Sequence, residues 1–252
     1  MRLLAISPYA GILLFCCLYS SIRAQSTGKD SIVTQDGYYN ALQVYHHYLT
    51  PETRLYRGSQ YVEYAYWLRD GHPFFDDGRL QKGTIFYDSI LYEGILLLYD
   101  LVKEQVVISD SYDNYKLFLI NEQLDHFTIQ RHLFITLKDS LNPSAPRHGF
   151  YEQLYKDRIT LLKKEKKVIM EDLTTGKVEK FIDASVSYYL KKGAVYYAVN
   201  NKQSLLSALN DRHKEIKKFI RKNGLSMRHD KENTLLQVAA WYNGQLSDMA
   251  NK

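Results

Sequence analysis

Residues 83–108 read GTIFYDSILYEGILLLYDLVKEQVVI, and the punctuation of this run selects sheet over helix. Stretches of Ile, Leu, Val, Phe and Tyr are broken by Asp88-Ser89, Glu93-Gly94 and Lys103-Glu104. No stripe with a helical period survives those breaks, whereas β-branched and aromatic runs between small polar residues mark strands. A two-residue loop at Asp88-Ser89 sets Tyr87 opposite Ile90, Phe86 opposite Leu91 and Ile85 opposite Tyr92. Aromatic–aliphatic pairs of that kind stabilise an antiparallel sheet by about 0.2–1 kcal/mol each. Asp-Ser is a weaker turn than Asp-Gly, because Ser resists positive φ.

Working outward, residues 115–120, 125–129 and 133–137 continue in short apolar runs. Pro143 and Pro146 interrupt the pattern over 139–147, a candidate sub-boundary. A second set follows at 150–155, 159–162, 168–170, 180–182, 186–190 and 195–199, with residues 163–167 and Thr174-Thr175-Gly176 read as turns. Strand-to-strand spacing near 8–12 residues is that of a sandwich or an open, half-closed barrel, and connections this short require antiparallel pairing.

The period changes at Asn201, an N-cap for a short helix carrying Leu205, Leu206 and Leu209. Asp211 is expected to cap a second helix in which Ile216, Phe219 and Ile220 face the sheet, with Gly224 at its left-handed end. Asp230 opens a third, with Leu235, Leu236, Val238, Ala239 and Tyr242 apolar. The expected class is α+β: antiparallel meander strands over 61–200, then a bundle of two to three short helices over 201–252 packed on the sheet.

Upstream, residues 1–24 have the form of an export signal: Arg2, an apolar run, and Ile22-Arg23-Ala24 before an expected cleavage at Gln25. A lipoprotein reading of Cys16 fails on Phe15, which stands where a small residue is needed. Both cysteines fall in this segment, so the mature chain of 228 residues is expected to use no disulfide, thiolate or Cys-bound zinc. Residues 25–60 form a poorly patterned arm in which 39–48 has helical spacing that Thr50-Pro51-Glu52 would end.

Charge is unevenly spread. Residues 25–155 hold 11 basic and 17 acidic groups, while 191–231 hold 11 basic and 3 acidic, a net of +8. In the second helix Lys217, Lys218, Arg221 and Lys222 surround the apolar stripe and form a candidate site for an anionic partner. Export argues against nucleic acid and for an anionic component of the cell envelope or another envelope protein. A second candidate surface is aromatic: Tyr61, Tyr64, Tyr66 and Trp67 crowd into seven positions, to serve either as sheet packing or as a contact platform.

Catalytic chemistry finds little support. There is no nucleophile elbow, Gly-rich phosphate loop or HExxH pattern. His72, Asp76 and Asp77 share a turn-rich loop, but one histidine and two adjacent carboxylates make a weak metal set, and the loop reads better as a connection in which Phe74 and Phe75 plug the sheet edge. No cofactor is expected. Carboxylate pairs for a hydrolase could be drawn from Glu63, Asp76, Asp88 or Glu93, as from any chain with 28 acids.

The pattern at Tyr87-Asp88, Tyr92, Leu97-Leu98 and Tyr99-Asp100 is similar to that of uncharacterised secreted proteins of the Bacteroidota. So are the ending KKFIRKNGL at 217–225, the apolar helix finishing in Trp241-Tyr242, and the Ala24-Gln25 junction. Ser89 stands where that pattern more often has Gly. The resemblance spans most of 56–243 and implies compartment and architecture, with no catalytic residue. The sequence is thus expected to encode an exported, non-catalytic β-rich envelope protein acting as a binding or accessory module. The alternatives are a structural partner in an envelope assembly and a carboxylate-dependent hydrolase.

Overall fold

Strands β1 (Gln81–Tyr87) and β2 (Ile90–Asp100) form the expected hairpin, with Tyr87 paired to Ile90, Phe86 to Leu91 and Ile85 to Tyr92. Asp88 and Ser89 both take positive φ, 49° and 65°, as a tight hairpin turn of the type I′ class demands. The strand does not end at Glu93-Gly94. Gly83 pairs with Ile95 and Thr84 with Glu93, so Gly94, at φ 69°, is the extra residue of a β-bulge.

The computed structural model describes residue 41 and residues 54–109, 115–138, 146–174 and 176–250, with side chains as far as 244. The export signal and, apart from residue 41, the helix expected over 39–48 lie outside the described residues. The arm comes into view at a 3₁₀ turn, Arg54–Arg57, whose Leu55 is fully buried in the main core.

After β2 come β3 (Gln105–Ser109), β4 (Lys116–Phe118), β5 (Leu124–Ile129), β6 (His132–Leu137), β7 (Gly149–Lys156), β8 (Ile159–Asp172), β9 (Glu179–Lys192) and β10 (Val195–Ala198). They make one open antiparallel sheet in the order β10-β9-β8-β7-β6-β5-β1-β2-β3-β4. The chain is a meander from β1 to β4, jumps to the far side of β1, and meanders again from β5 to β10. That jump bends the sheet. β4 and β5 are four places apart, about 19 Å in a flat sheet, yet only residues 119–123 join them and three of these form a 3₁₀ turn, which advances just about 2 Å per residue. The bend shows in the core: the Tyr99 ring on β2 meets Phe127 on β5, Phe134 on β6 and Phe150 on β7, with centroids 5.3–5.7 Å apart.

Residues 163–167 (KKEKK) are not a turn. β8 runs unbroken for 14 residues, paired throughout with β9, which likewise joins the two short strands expected at 180–182 and 186–190. Alternation sends successive lysines to opposite faces, where three of the four find a partner. Lys163 meets Glu232, Lys164 meets Glu104, and Lys167 donates to the carbonyls of His72 and Phe74.

Segment 59–75 laces distant strands together. Ser59 and Tyr61 exchange backbone hydrogen bonds with β4, Phe75 with β2, Pro73 with Leu101 just past its end, and Arg69 and Asp70 with β9. Phe75, expected at the sheet edge, is instead buried in the main core against Phe134 and His132 of β6, an interior strand.

Three helices close the chain: α1 (Lys202–Ala208), α2 (His213–Lys222) and α3 (Lys231–Ala250). The third has 20 residues and is not short. Asn201 caps α1 in a reciprocal capping box with Ser204. Leu205, Leu206, Leu209, Ile216, Ile220, Leu235, Val238, Ala239 and Tyr242 build a second core with Ile159 and Leu161 of β8 and Tyr188 and Leu190 of β9.

Candidate functional site

Helix α2 presents a concentrated positive charge. Ile216 and Ile220 are buried, one turn apart, and hold the helix to the second core, while Lys217, Lys218, Arg221 and Lys222 are exposed on its other side. Gly224, at φ 62°, ends the helix: its N–H donates to Arg221 and that of Leu225 to Ile220, which is the Schellman arrangement. The only acid in α2, Glu215, is engaged by Arg212 at 2.9 Å. None of the four cations forms an ion pair among the described residues.

Two expectations about this helix are corrected. Asp211 is not its cap: a 3₁₀ turn, Asn210–Arg212, precedes α2, and no side chain caps it. The Asp211 carboxylate instead accepts from Lys192 at 2.6 Å and from the Tyr242 hydroxyl at 2.7 Å, tying the turn to β9 and α3. Burial pushes that carboxyl up, but Lys192 and Tyr242 outweigh it and hold it below its ordinary value. Phe219 was expected to face the sheet. It is half-buried and stacks on Trp241 of α3, centroids 5.1 Å apart and planes 24° apart.

The pair floors a slot of about 400 Å³ lined by Glu215, Lys218, Phe219, Lys222, Asn223 and Trp241. Lys218 and Lys222 lie one turn apart on its rim, so apolar rings and two ammonium groups share a single opening. The sequence marks Trp241 only as the end of an apolar helix. The signal available was its position beside, not within, the stripe Leu235, Val238, Ala239, Tyr242 that enters the core.

The aromatic cluster does not form one platform. Tyr61 is buried, and its hydroxyl donates to Asp100 at 3.0 Å; the Tyr64 hydroxyl reaches the same carboxylate at 2.9 Å. Asp100 also accepts from the backbone N–H groups of Val102 and Lys103, and the Lys103 ammonium sits 4.3 and 4.5 Å from the Tyr61 and Tyr64 ring centres. Burial, reinforced by Asp100, pushes both tyrosine hydroxyls well above their ordinary value. These two residues clamp segment 59–75 to the β2–β3 turn. Tyr66 carries the Lys180 ammonium 4.2 Å from its ring centre, and Trp67 is 80 % exposed.

The remaining candidates are occupied individually. Asp77 is taken by Arg79, which draws its carboxyl down to about 2. Asp76 accepts from Gln81 and Gln130, and Glu63 pairs with Lys116. Asp88 lies in the β1–β2 turn, and Glu93 flanks the bulge. Burial, with Lys167 adding to it, lowers His72. Among the described residues no three His, Cys, Asp or Glu side chains converge as a metal set, and no helix is long and apolar enough to cross a membrane. Comparison with protein-family models, with curated proteins and with solved structures finds no match.

Proposed function

We propose that this protein is an exported, non-catalytic binding module of the cell envelope that docks on an anionic lipid surface through α2. The observation that carries this reading is the Phe219–Trp241 stack set between Lys218 and Lys222, with Lys217 and Arg221 alongside. Aromatic rings settle at the headgroup level while cations meet phosphates, so the two kinds of group act on the same partner. Cations near an anionic surface each contribute about 1 kcal/mol, an attraction that salt screens. The sheet is read as a half barrel, which supplies a rigid base for the helices; the reach of Tyr99 to Phe150 supports that reading. Origin in the secreted Bacteroidota family and cleavage before Gln25 belong to the same proposal.

A second reading, docking on another envelope protein, rests on the β8–β9 hairpin, where Val168, Met170, Leu173 and Val178 are exposed. Co-sedimentation with anionic and neutral vesicles decides between them. Lipid docking requires binding to anionic vesicles alone, lost at high salt and in a variant with Lys217, Lys218, Arg221 and Lys222 changed to Gln. Binding that ignores lipid charge, or that survives the four substitutions, contradicts it.

A further inference from the structure

A larger cavity than the α2–α3 slot lies elsewhere, and the lipid-docking reading makes no use of it. A groove of about 870 Å³ opens between β8, β9, β10, the start of β7 and α1, within the range of small-molecule sites. β8 and β9 form one of its walls. Lys164 pairs with Ser187 and Lys166 with Ser185 across the ladder, so these two cations and two hydroxyls project from the same face. Tyrosines make up much of the rest: Tyr151 and Tyr189 meet edge to face at 5.7 Å, and Tyr196 and Tyr197 line the β10 side.

Charge in the groove is arranged, not scattered. Its single carboxylate among the described residues, Glu104, is already used by the Phe150 N–H and the Lys164 ammonium. Lys164 also donates to the Phe150 carbonyl at 3.1 Å and lies 4.8 Å from the Tyr151 ring centre, which fixes it in place. Arg147 and Lys166 are exposed at the same opening and make no ion pair among the described residues. The surplus is therefore positive, beside serine hydroxyls and tyrosine rings.

We infer that this groove binds an acidic saccharide, with Arg147 and Lys166 meeting the sugar carboxylate, Ser185 and Ser187 its hydroxyls, and Tyr189 its apolar ring face. A carboxylate between two cations gains charge-assisted hydrogen bonds, and a tyrosine supplies a flat apolar surface with a polar tip. A lipid chain does not suit the site, since hydroxyl-bearing side chains outnumber aliphatic ones along its lining.

Isothermal titration of the purified protein with trigalacturonic acid, maltotriose and citrate tests this. Trigalacturonic acid should bind at least tenfold more tightly than either maltotriose, which lacks the acid, or citrate, which lacks the sugar. Changing both Arg147 and Lys166 to Gln, two exposed positions, should weaken that binding at least tenfold. The four-residue α2 variant should bind the saccharide as wild type does, which separates this site from the lipid-docking face. Absence of trigalacturonic acid binding, equal binding of citrate, or binding unchanged by the Arg147/Lys166 variant overturns the inference.

Discussion

Glu104 in the β2–β3 turn and Lys164 in β8 form an ion pair across 60 residues of sequence. The pair sits where β8 leaves β7: their ladder stops at Glu152 and Lys163, while β8 continues with β9 to Asp172. The turn between β2 and β3 fills the resulting gap, with Glu104 accepting from the Phe150 N–H that β8 no longer faces. One contact thereby joins the two halves of the sheet and forms the end wall of the groove.

Gly149 makes that approach possible. It takes φ 144°, and a Cβ there would collide with the Glu104 carboxylate and lie 2.7 Å from the Lys164 ammonium. Gly149→Ala should therefore destabilise the protein by at least the roughly 1–3 kcal/mol of a strained backbone. Urea denaturation checks this; an unchanged midpoint would show that the turn does not seat between β7 and β8.

Asp100 is fully buried and accepts from Tyr61, Tyr64, Val102 and Lys103. Asp100→Ala leaves those donors without a partner, at about 1–3 kcal/mol for each one that stays buried. A loss of about 3–5 kcal/mol is expected by denaturant unfolding. Protease sensitivity should also rise within 59–75, the segment the clamp holds.

Lys164 gives a pH signature. Burial, with Lys166 adding to it, draws its ammonium from 10.5 down to about 8. Between those values the unfolded chain keeps the proton and the folded chain does not, so raising the pH removes an advantage of the unfolded state. Relative to Lys164→Met, wild type should gain about 1–3 kcal/mol of stability from pH 8 to 10.5. A constant difference across that window would mean that Glu104 offsets the burial of the ammonium.

Local pairing was the legible part of the fold. The Asp88-Ser89 hairpin, the Asn201 cap and the Gly224 terminus each follow from a few adjacent residues with well-defined conformational preferences. Residues 163–167 were not legible, because a charged run reads as a solvated turn unless the partners of its alternate lysines are known. Those partners, Glu232, Glu104 and the carbonyls of His72 and Phe74, come from three distant segments. The basic face of α2 could be read from composition and helical period alone. The slot beside it could not, since Phe219 and Trp241 meet only once α2 and α3 are packed.

The most direct measurement follows Trp241 itself. The sequence has two tryptophans, Trp67 and Trp241, so Trp67→Phe leaves one reporter in the α2–α3 slot and Trp241→Phe leaves one at the exposed position in segment 59–75. With anionic vesicles at low salt, emission of the Trp67→Phe protein should shift to the blue and become shielded from aqueous quencher, and high salt should reverse both effects. The Trp241→Phe protein should show neither. A response from Trp67 with none from Trp241, or no response from either, would contradict docking through α2.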